Sequence, residues 1–260
     1  MKRVQLAPIG SAAAGVAVVA VLWALPMQWG MPALATTGWL AAIAYLLISN
    51  ALLLRGLEIR HATRFGAANI VTTVRSTLVG VITGLVVASF TTTVPVALLV
   101  GLIAPALLLD AVDGWVARRT GTATELGARF DMEVDAFLLL VLSAYVAQTM
   151  GSWVLAIGLM RYSFVVAGWF LPWFRRQLPP RYWRKVVTAV QGIALTIAVS
   201  GLLPGIDAVF VAVALALLVE SFGRDVVWLV RARRLGSSDV AQPLVDEVYL
   251  PRDPVLRRPR

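Results

Sequence analysis

The chain has 260 residues, of which 59% are hydrophobic and only 14% are charged, and its mean hydropathy is +0.82. These values exclude an ordinary soluble domain and indicate a protein that lies largely within a lipid bilayer. The formal net charge of +9 does not indicate nucleic-acid binding, because the basic residues lie at the ends of apolar segments rather than in one stripe, which favours contact with membrane lipids.

Eight apolar segments are long enough to cross a membrane, for which about 20 residues are needed. In chain order they are residues 6–28, 32–54, 69–90, 94–117, 126–148, 152–173, 185–203 and 206–230. Basic residues precede the first segment, follow the last and fall in alternate connections, so the positive-inside rule places both termini in the cytoplasm. The sequence therefore predicts an all-α integral membrane protein of eight spans.

A charged connection at residues 55–64 divides the chain. The two spans before it contain no charged residue, whereas the six spans after it hold all the intramembrane charges. We therefore expect two N-terminal transmembrane helices with their connection in residues 1–64, a six-helix catalytic membrane domain in residues 65–234, and a polar cytoplasmic tail in residues 235–260. The first span is longer than the core of a signal peptide and is expected to be retained.

Four aspartates mark the most informative segment. Asp110 and Asp113 lie three residues apart near the end of the fourth span, and Asp131 and Asp135 lie four apart near the start of the fifth. Each pair therefore shares one face of a helix, and a short polar connection would oppose the two faces at the cytoplasmic boundary. Four carboxylates in a partly desolvated site repel one another strongly unless cations are bound or protons are retained.

A metal in this site would have to be held by oxygen, because the chain has no cysteine and one histidine, His61. Mg²⁺, with Mn²⁺ as the alternative, prefers such ligands and bridges phosphate oxygens. The small residues Gly114, Ala117 and Gly127 leave room for a ligand between the helices, although they could equally serve close helix packing. Arg118 can pair with phosphate charge or anchor its helix at the interface.

The segment from Asp110 to Asp135 resembles the signature of the CDP-alcohol phosphotransferase family, D-x2-D-G-x2-A-R-x8-G-x3-D-x3-D, and fills all eight specified positions. The resemblance covers the last six spans, which is the number in the family's core. It implies that two metal ions are held by Asp110, Asp113, Asp131 and Asp135, with Asp135 as the catalytic base. It also implies that Gly114, Ala117 and Gly127 make room for the cytidine nucleotide.

Residues 69–75 are similar to the N-x-[LI]-T-x-x-R that opens the family's first core helix, with Val71 as the departure. This similarity implies nucleotide or phosphate contacts by Asn69, Thr72 and Arg75, although a structural ion pair is the alternative for Arg75.

Three basic residues are candidates for binding the acceptor. Arg161 lies about ten residues into its span, too deep to reach the interface easily, and is expected to face the bundle interior, with a structural ion pair as the alternative to acceptor binding. Arg184 and Lys185 lie at an arginine-rich inner connection and could bind an acceptor phosphate, although topology signalling explains the same residues. Residues 185–191 also resemble a K-x-K-T-x-x-Q segment of several family members, with Val187 in place of the second lysine.

The resemblance implies transfer of a phosphatidyl group from CDP-diacylglycerol, or another CDP-linked donor, to an alcohol with release of CMP, as in phospholipid biosynthesis. We favour a phosphorylated polyol acceptor, glycerol 3-phosphate or an inositol phosphate, while serine and a second lipid stay open. A multi-pass protein of the cytoplasmic membrane is expected, with its active site facing the cytoplasm. The resemblance also implies a homodimer, and no nucleic-acid partner is expected.

A cation- or proton-coupled transporter is the alternative from a different class, because intramembrane carboxylates also line transport paths. The acids here cluster near one membrane face, and the sequence shows no inverted pair of broken helices. Both observations favour the enzyme. An inactive scaffold is a third possibility, and the intact set of aspartates argues against it.

Overall fold

A computed structural model of the chain describes residues 36–59, 67–120, 125–176, 178–179 and 181–234. These ranges contain helices and no strand, as the sequence predicts. The α-helices are α1 (Thr36–Ile59), α2 (Ala67–Ser89), α3 (Val96–Thr120), α4 (Glu125–Met150), α5 (Leu155–Phe170), α6 (Tyr182–Ser200) and α7 (Ile206–Arg234). Two short 3₁₀ turns, Ser152–Val154 and Pro172–Arg175, flank α5.

The seven helices follow seven of the predicted spans, and their ends shift by no more than five residues. Within the described ranges, three segments are both long and apolar enough to cross a membrane: Thr36–Leu53, Ser152–Phe170 and Ile206–Arg234. Shorter apolar stretches, Thr73–Ser89 and Val96–Asp110, occur in α2 and α3. The span at residues 6–28 and the tail at residues 235–260 lie outside the described residues, so the eight-span count and the cytoplasmic termini stay predictions.

Local chemistry explains several helix ends. The carbonyl oxygen of Pro95 accepts hydrogen bonds from the N–H groups of Leu98 and Leu99 in the first turn of α3, at 3.1 and 3.2 Å. Gly201, at a left-handed φ of 61°, ends α6, a conformation that costs glycine little. Helix α7 has Asp207 in its first turn and three arginines in its last turn, and the charges at both ends complement the helix dipole.

Helix α2 lies at the centre of the bundle and packs against α1, α3 and α4. Helix α4 also contacts α5 and α6, and α6 contacts α3 and α7. The core is continuous across these helices. It includes Ile82, Ile103, Leu142 and Leu195, each 0% exposed. Helix α2 therefore contacts both of the helices that carry the acidic motif, α3 and α4.

Two features of the helices affect the site. Gly84 of α2 lies against Gly38 of α1, and a Cβ atom on Gly84 would lie 2.8 Å from the Gly38 carbonyl oxygen, so the two backbones approach closely. Pro105 lies inside α3, where it has no N–H to donate to the carbonyl four residues earlier. Pro105 precedes Asp110 by five residues.

Candidate active site

Arg75 of α2 lies at the centre of the acidic motif. Its side chain is 1% exposed and forms charged hydrogen bonds with Asp110 of α3 and Asp131 of α4. Its Nη2 atom also lies 3.1 Å from Asp135 Oδ1. One guanidinium therefore joins three carboxylates from two helices, which the fork of five N–H donors of arginine allows.

The three carboxylates are close enough to share a cation. One oxygen each from Asp110, Asp131 and Asp135 lies within 4.8 Å of the other two. The aspartate side chains are 44%, 30% and 25% exposed, so a ligand can reach them. Three carboxylates against one arginine leave a formal charge of −2. We refer to Arg75 and these three aspartates as the acid cluster.

The acid cluster fits a divalent metal ion. Its ligand atoms are all carboxylate oxygens, which Mg²⁺ and Mn²⁺ prefer, and one such ion would neutralise its residual charge of −2. The Nε atom of Arg75 is buried without a hydrogen-bond partner among the described residues, so the guanidinium has donor capacity left.

Several predicted residues can be placed only in part. Gly127 is half-buried in α4, one turn before Asp131, and so lies on the same face. The side chains of Asp113, Gly114, Ala117 and Arg118 in α3, and of Asn69 and Thr72 in α2, lie outside the described part of the structure. Their roles stay predictions.

A cavity of about 200 Å³ lies beside the acid cluster, between α4, α5, α6 and α7. Its charged lining residues are Asp135, Arg161, Arg184 and Asp225, and its walls are mostly apolar. Asp135 thus belongs to both the acid cluster and the cavity. Lys185 follows Arg184 directly, but its side chain is exposed and is not among the residues that line the cavity.

The arginines of the cavity are paired with carboxylates. Arg161 contacts Glu133 of α4. Arg184 Nη2 lies 2.9 Å from Asp225 Oδ1, and Arg181 Nη1 lies 4.0 Å from the same oxygen. The side chain of Asp225 is 8% exposed. We refer to Asp225, Arg181 and Arg184 as the basic group, since two arginines against one carboxylate leave a formal charge of +1.

A family model described as CDP-alcohol phosphatidyltransferase matches residues 65–220, which is 156 of the 260 residues. The chain belongs to the CDP-alcohol phosphatidyltransferase family. It is therefore a transferase of this type, with helices able to cross a membrane. The match contains the acid cluster, whereas α1 precedes it. No curated protein and no solved structure matches the chain.

In this CDP-alcohol phosphatidyltransferase, the structure supplies the carboxylate partners of Arg75 and adds Asp225 to the residues that the sequence predicts. Arg75 was expected near phosphate, and the structure places it among the carboxylates. Asp225 was not singled out, although an acidic residue 19 positions into a long apolar helix is a functional candidate by default. Both contacts join helices far apart in the chain, which helical spacing alone cannot predict.

Proposed function

We propose that the chain transfers a phosphatidyl group from CDP-diacylglycerol, or a related CDP-linked donor, to the hydroxyl of an alcohol, with release of CMP. The observation that carries this proposal is the position of Asp135. Its carboxylate lies within 4.8 Å of the other two aspartate oxygens and also lines the cavity. A proton acceptor is thus available between the place for a metal-bound diphosphate and the place for an acceptor.

The residues that would hold the metal are Asp110, Asp131 and Asp135, with Asp113 as the fourth ligand predicted by the motif. We propose Mg²⁺ or Mn²⁺, and two ions if Asp113 contributes. When bound, such ions neutralise the diphosphate and the charge that develops on the leaving CMP. Arg75 bridges the carboxylates of α3 and α4 and offsets part of their repulsion.

The proposed reaction is one substitution at phosphorus. Asp135 accepts the proton of the acceptor hydroxyl, and the acceptor oxygen forms a bond to the phosphorus that bears the diacylglycerol. The bond from that phosphorus to the CMP oxygen breaks, and CMP leaves with the bonding electrons. The lipid tails can stay in the bilayer throughout, because only the head group changes.

We favour a small acceptor that carries phosphate. The cavity, at about 200 Å³, is below the roughly 300–1,000 Å³ of typical ligand pockets. The basic group borders it and has one positive charge more than its carboxylate balances. A phosphate could therefore bind Arg184 with Arg161 nearby, as glycerol 3-phosphate or an inositol phosphate would.

We also propose that the protein is a homodimer of the cytoplasmic membrane with this cavity open to the cytoplasm.

The test is release of CMP by the full chain in lipid nanodiscs with CDP-diacylglycerol, Mg²⁺ or Mn²⁺, and a panel of alcohols. Release that depends on both an acceptor and a metal supports the proposal, and Asp135→Asn is expected to lower its rate roughly 10²- to 10⁴-fold. Asp207→Asn is the matched control, because Asp207 is a buried carboxylate at the start of α7, outside the acid cluster and the cavity lining, that accepts a local hydrogen bond from the Ala208 N–H. Equal losses in the two variants, or no release with any acceptor, would contradict the proposal.

A further inference from the structure

Helix α1 lies outside the family match but contacts α2 directly beside Arg75. Tyr45 and Ser49 lie four residues apart, on one face of α1, and both reach Ser76 of α2. The Ser49 and Ser76 Oγ atoms are 2.8 Å apart, and the Tyr45 hydroxyl is 3.3 Å from Ser76 Oγ. Ser76 is the residue after Arg75. We refer to Tyr45, Ser49 and Ser76 as the hydroxyl cluster.

Tyr45 also contacts the second helix of the site. Its ring stacks on Phe137 of α4, with the ring centroids 4.7 Å apart and the planes at 23°. Phe137 lies two residues after Asp135. One side chain of α1 therefore touches both the helix that carries Arg75 and the helix that carries Asp135.

The packing around the hydroxyl cluster leaves α2 little freedom to rotate. A Cβ atom on Gly80, four residues after Ser76, would lie 2.9 Å from Leu46 Cδ2 and 3.1 Å from the Tyr45 ring. Ser49 and Ser76 are 6% and 2% exposed. A buried hydroxyl is favourable when it has a hydrogen-bond partner, and the contacts of Tyr45 and Ser49 with Ser76 depend on the register of α1 against α2. A purely apolar interface would not be so selective.

We propose that Tyr45 and Ser49 are positioning residues for the phosphatidyl transfer, although α1 is not part of the family domain. The hydroxyl cluster sets the rotation of α2 that directs Arg75 at the three carboxylates, and the Tyr45–Phe137 stack sets the position of α4 relative to α2. The kinetic part of this inference rests on the proposed phosphatidyl transfer, and the part on Mn²⁺ binding rests on the proposed metal ligands of the acid cluster, so the two parts can fail separately.

The test uses the full chain in nanodiscs with Tyr45→Phe and Ser49→Ala. The matched controls lie in α4. Tyr145→Phe changes a partly buried tyrosine that packs against the core, and Ser143→Ala changes a fully buried serine whose hydroxyl donates to the Leu139 carbonyl of its own helix. We measure the Kd for Mn²⁺, the thermal midpoint, and kcat and KM for CMP release. Ser49→Thr, which keeps a hydroxyl, tests rescue.

Misplacement of a catalytic group by about 1 Å can lower a rate roughly 100-fold, so we expect Tyr45→Phe and Ser49→Ala to lower kcat between about 10- and 100-fold. The donor KM is expected to change little, the Kd for Mn²⁺ to rise about threefold or more, and Ser49→Thr to recover most of the loss. In an Arg75→Lys background the two substitutions should have little further effect, because they act through Arg75.

Three results would overturn the inference. The first is a Kd for Mn²⁺ and a kcat that match those of the control variants, with only the thermal midpoint lowered. The second is a loss of the same size in the Arg75→Lys background. The third concerns the case in which no acceptor supports CMP release, which would count against the proposed function. The Kd for Mn²⁺ alone then tests the positioning role, and Kd values of Tyr45→Phe and Ser49→Ala equal to those of the control variants overturn it.

Discussion

The acid cluster and the basic group are opposite arrangements of the same two residue types. In the acid cluster one buried arginine, Arg75, faces three carboxylates, and in the basic group one buried carboxylate, Asp225, faces two arginines. The first arrangement has a formal charge of −2 and the second +1. Each buried charge is thus outnumbered by partners of opposite sign, and the excess is exposed to ligands.

Under the proposed function, this difference allows one bundle to bind a cation and an anion side by side. A buried pair of one positive and one negative side chain has no net charge and would attract neither a cation nor an anion. Asp135 from the acid cluster and Arg184 from the basic group both line the cavity, so the two excess charges face the same space. The comparison leads to three predictions, which change one group at a time.

The largest effect is expected when the acid cluster loses its arginine. Arg75→Gln leaves three carboxylates without their shared partner, and removal of one member of a buried ion pair costs about 3–5 kcal/mol. We expect a lower free energy of unfolding without metal and a greater gain in thermal midpoint from Mg²⁺ than in the unchanged protein, because the ion then takes over the neutralisation.

Thermal unfolding in nanodiscs with and without Mg²⁺ measures this difference. Arg161→Gln is the comparison, because Arg161 pairs with the exposed Glu133 rather than with the three clustered aspartates. If Mg²⁺ raises the thermal midpoint of both variants equally, the acid cluster is not the place where the ion binds.

A smaller effect is expected in the basic group. Arg184→Gln removes the excess positive charge at the cavity and should raise KM for a phosphorylated acceptor about tenfold, equivalent to about 1.4 kcal/mol, with KM for the donor unchanged. Lys185→Gln removes the same charge one residue later from an exposed position outside the cavity lining, so its KM should stay close to that of the unchanged protein. Steady-state kinetics with two or more phosphorylated alcohols measures both, and the reverse order would place the acceptor phosphate at Lys185.

The smallest effect is expected where a pair is exposed. Glu220 contacts Arg224 on α7 and accepts a hydrogen bond from Trp183 Nε1 at 3.1 Å. Arg224 is 62% exposed, and such surface pairs contribute about 0–1 kcal/mol. Glu220→Gln should therefore change the free energy of unfolding by less than about 1 kcal/mol and leave both KM values unchanged. A larger change would mean that charge balance matters in this bundle even without burial.

The sequence predicts the parts of this structure that depend on local spacing. The contact of Glu220 with Arg224 follows from a separation of four residues, and Asp131 and Asp135 share a face for the same reason. The helix ends follow from apolar lengths and from residues such as Pro95 and Gly201. The all-helical fold and the family were therefore within reach of the sequence alone.

Helical spacing in the sequence does not predict contacts between helices that are distant in the chain. Arg75 and Asp131 are 56 residues apart, and Arg184 and Asp225 are 41 apart. Helical periodicity gives the direction of a side chain on its own helix but not which helix packs against it. The sequence therefore predicts that the two acidic faces meet directly, whereas the structure places Arg75 of α2 between them.

Pro105 distinguishes Asp110 from the other two carboxylates of the acid cluster. Helix α3 lacks a backbone hydrogen bond at this proline, and a helix bends most readily where its ladder is interrupted. Asp110 lies five residues, or about 7.5 Å, beyond that point, so a change of bend by about 10° would move it by about 1 Å. Asp131 and Asp135 stand on α4, which contains no proline. Of the three proposed metal ligands, Asp110 is therefore the one that stands beyond an interruption in the hydrogen bonding of its helix, and we expect any adjustment to the size of an ion to occur there rather than at Asp131 or Asp135.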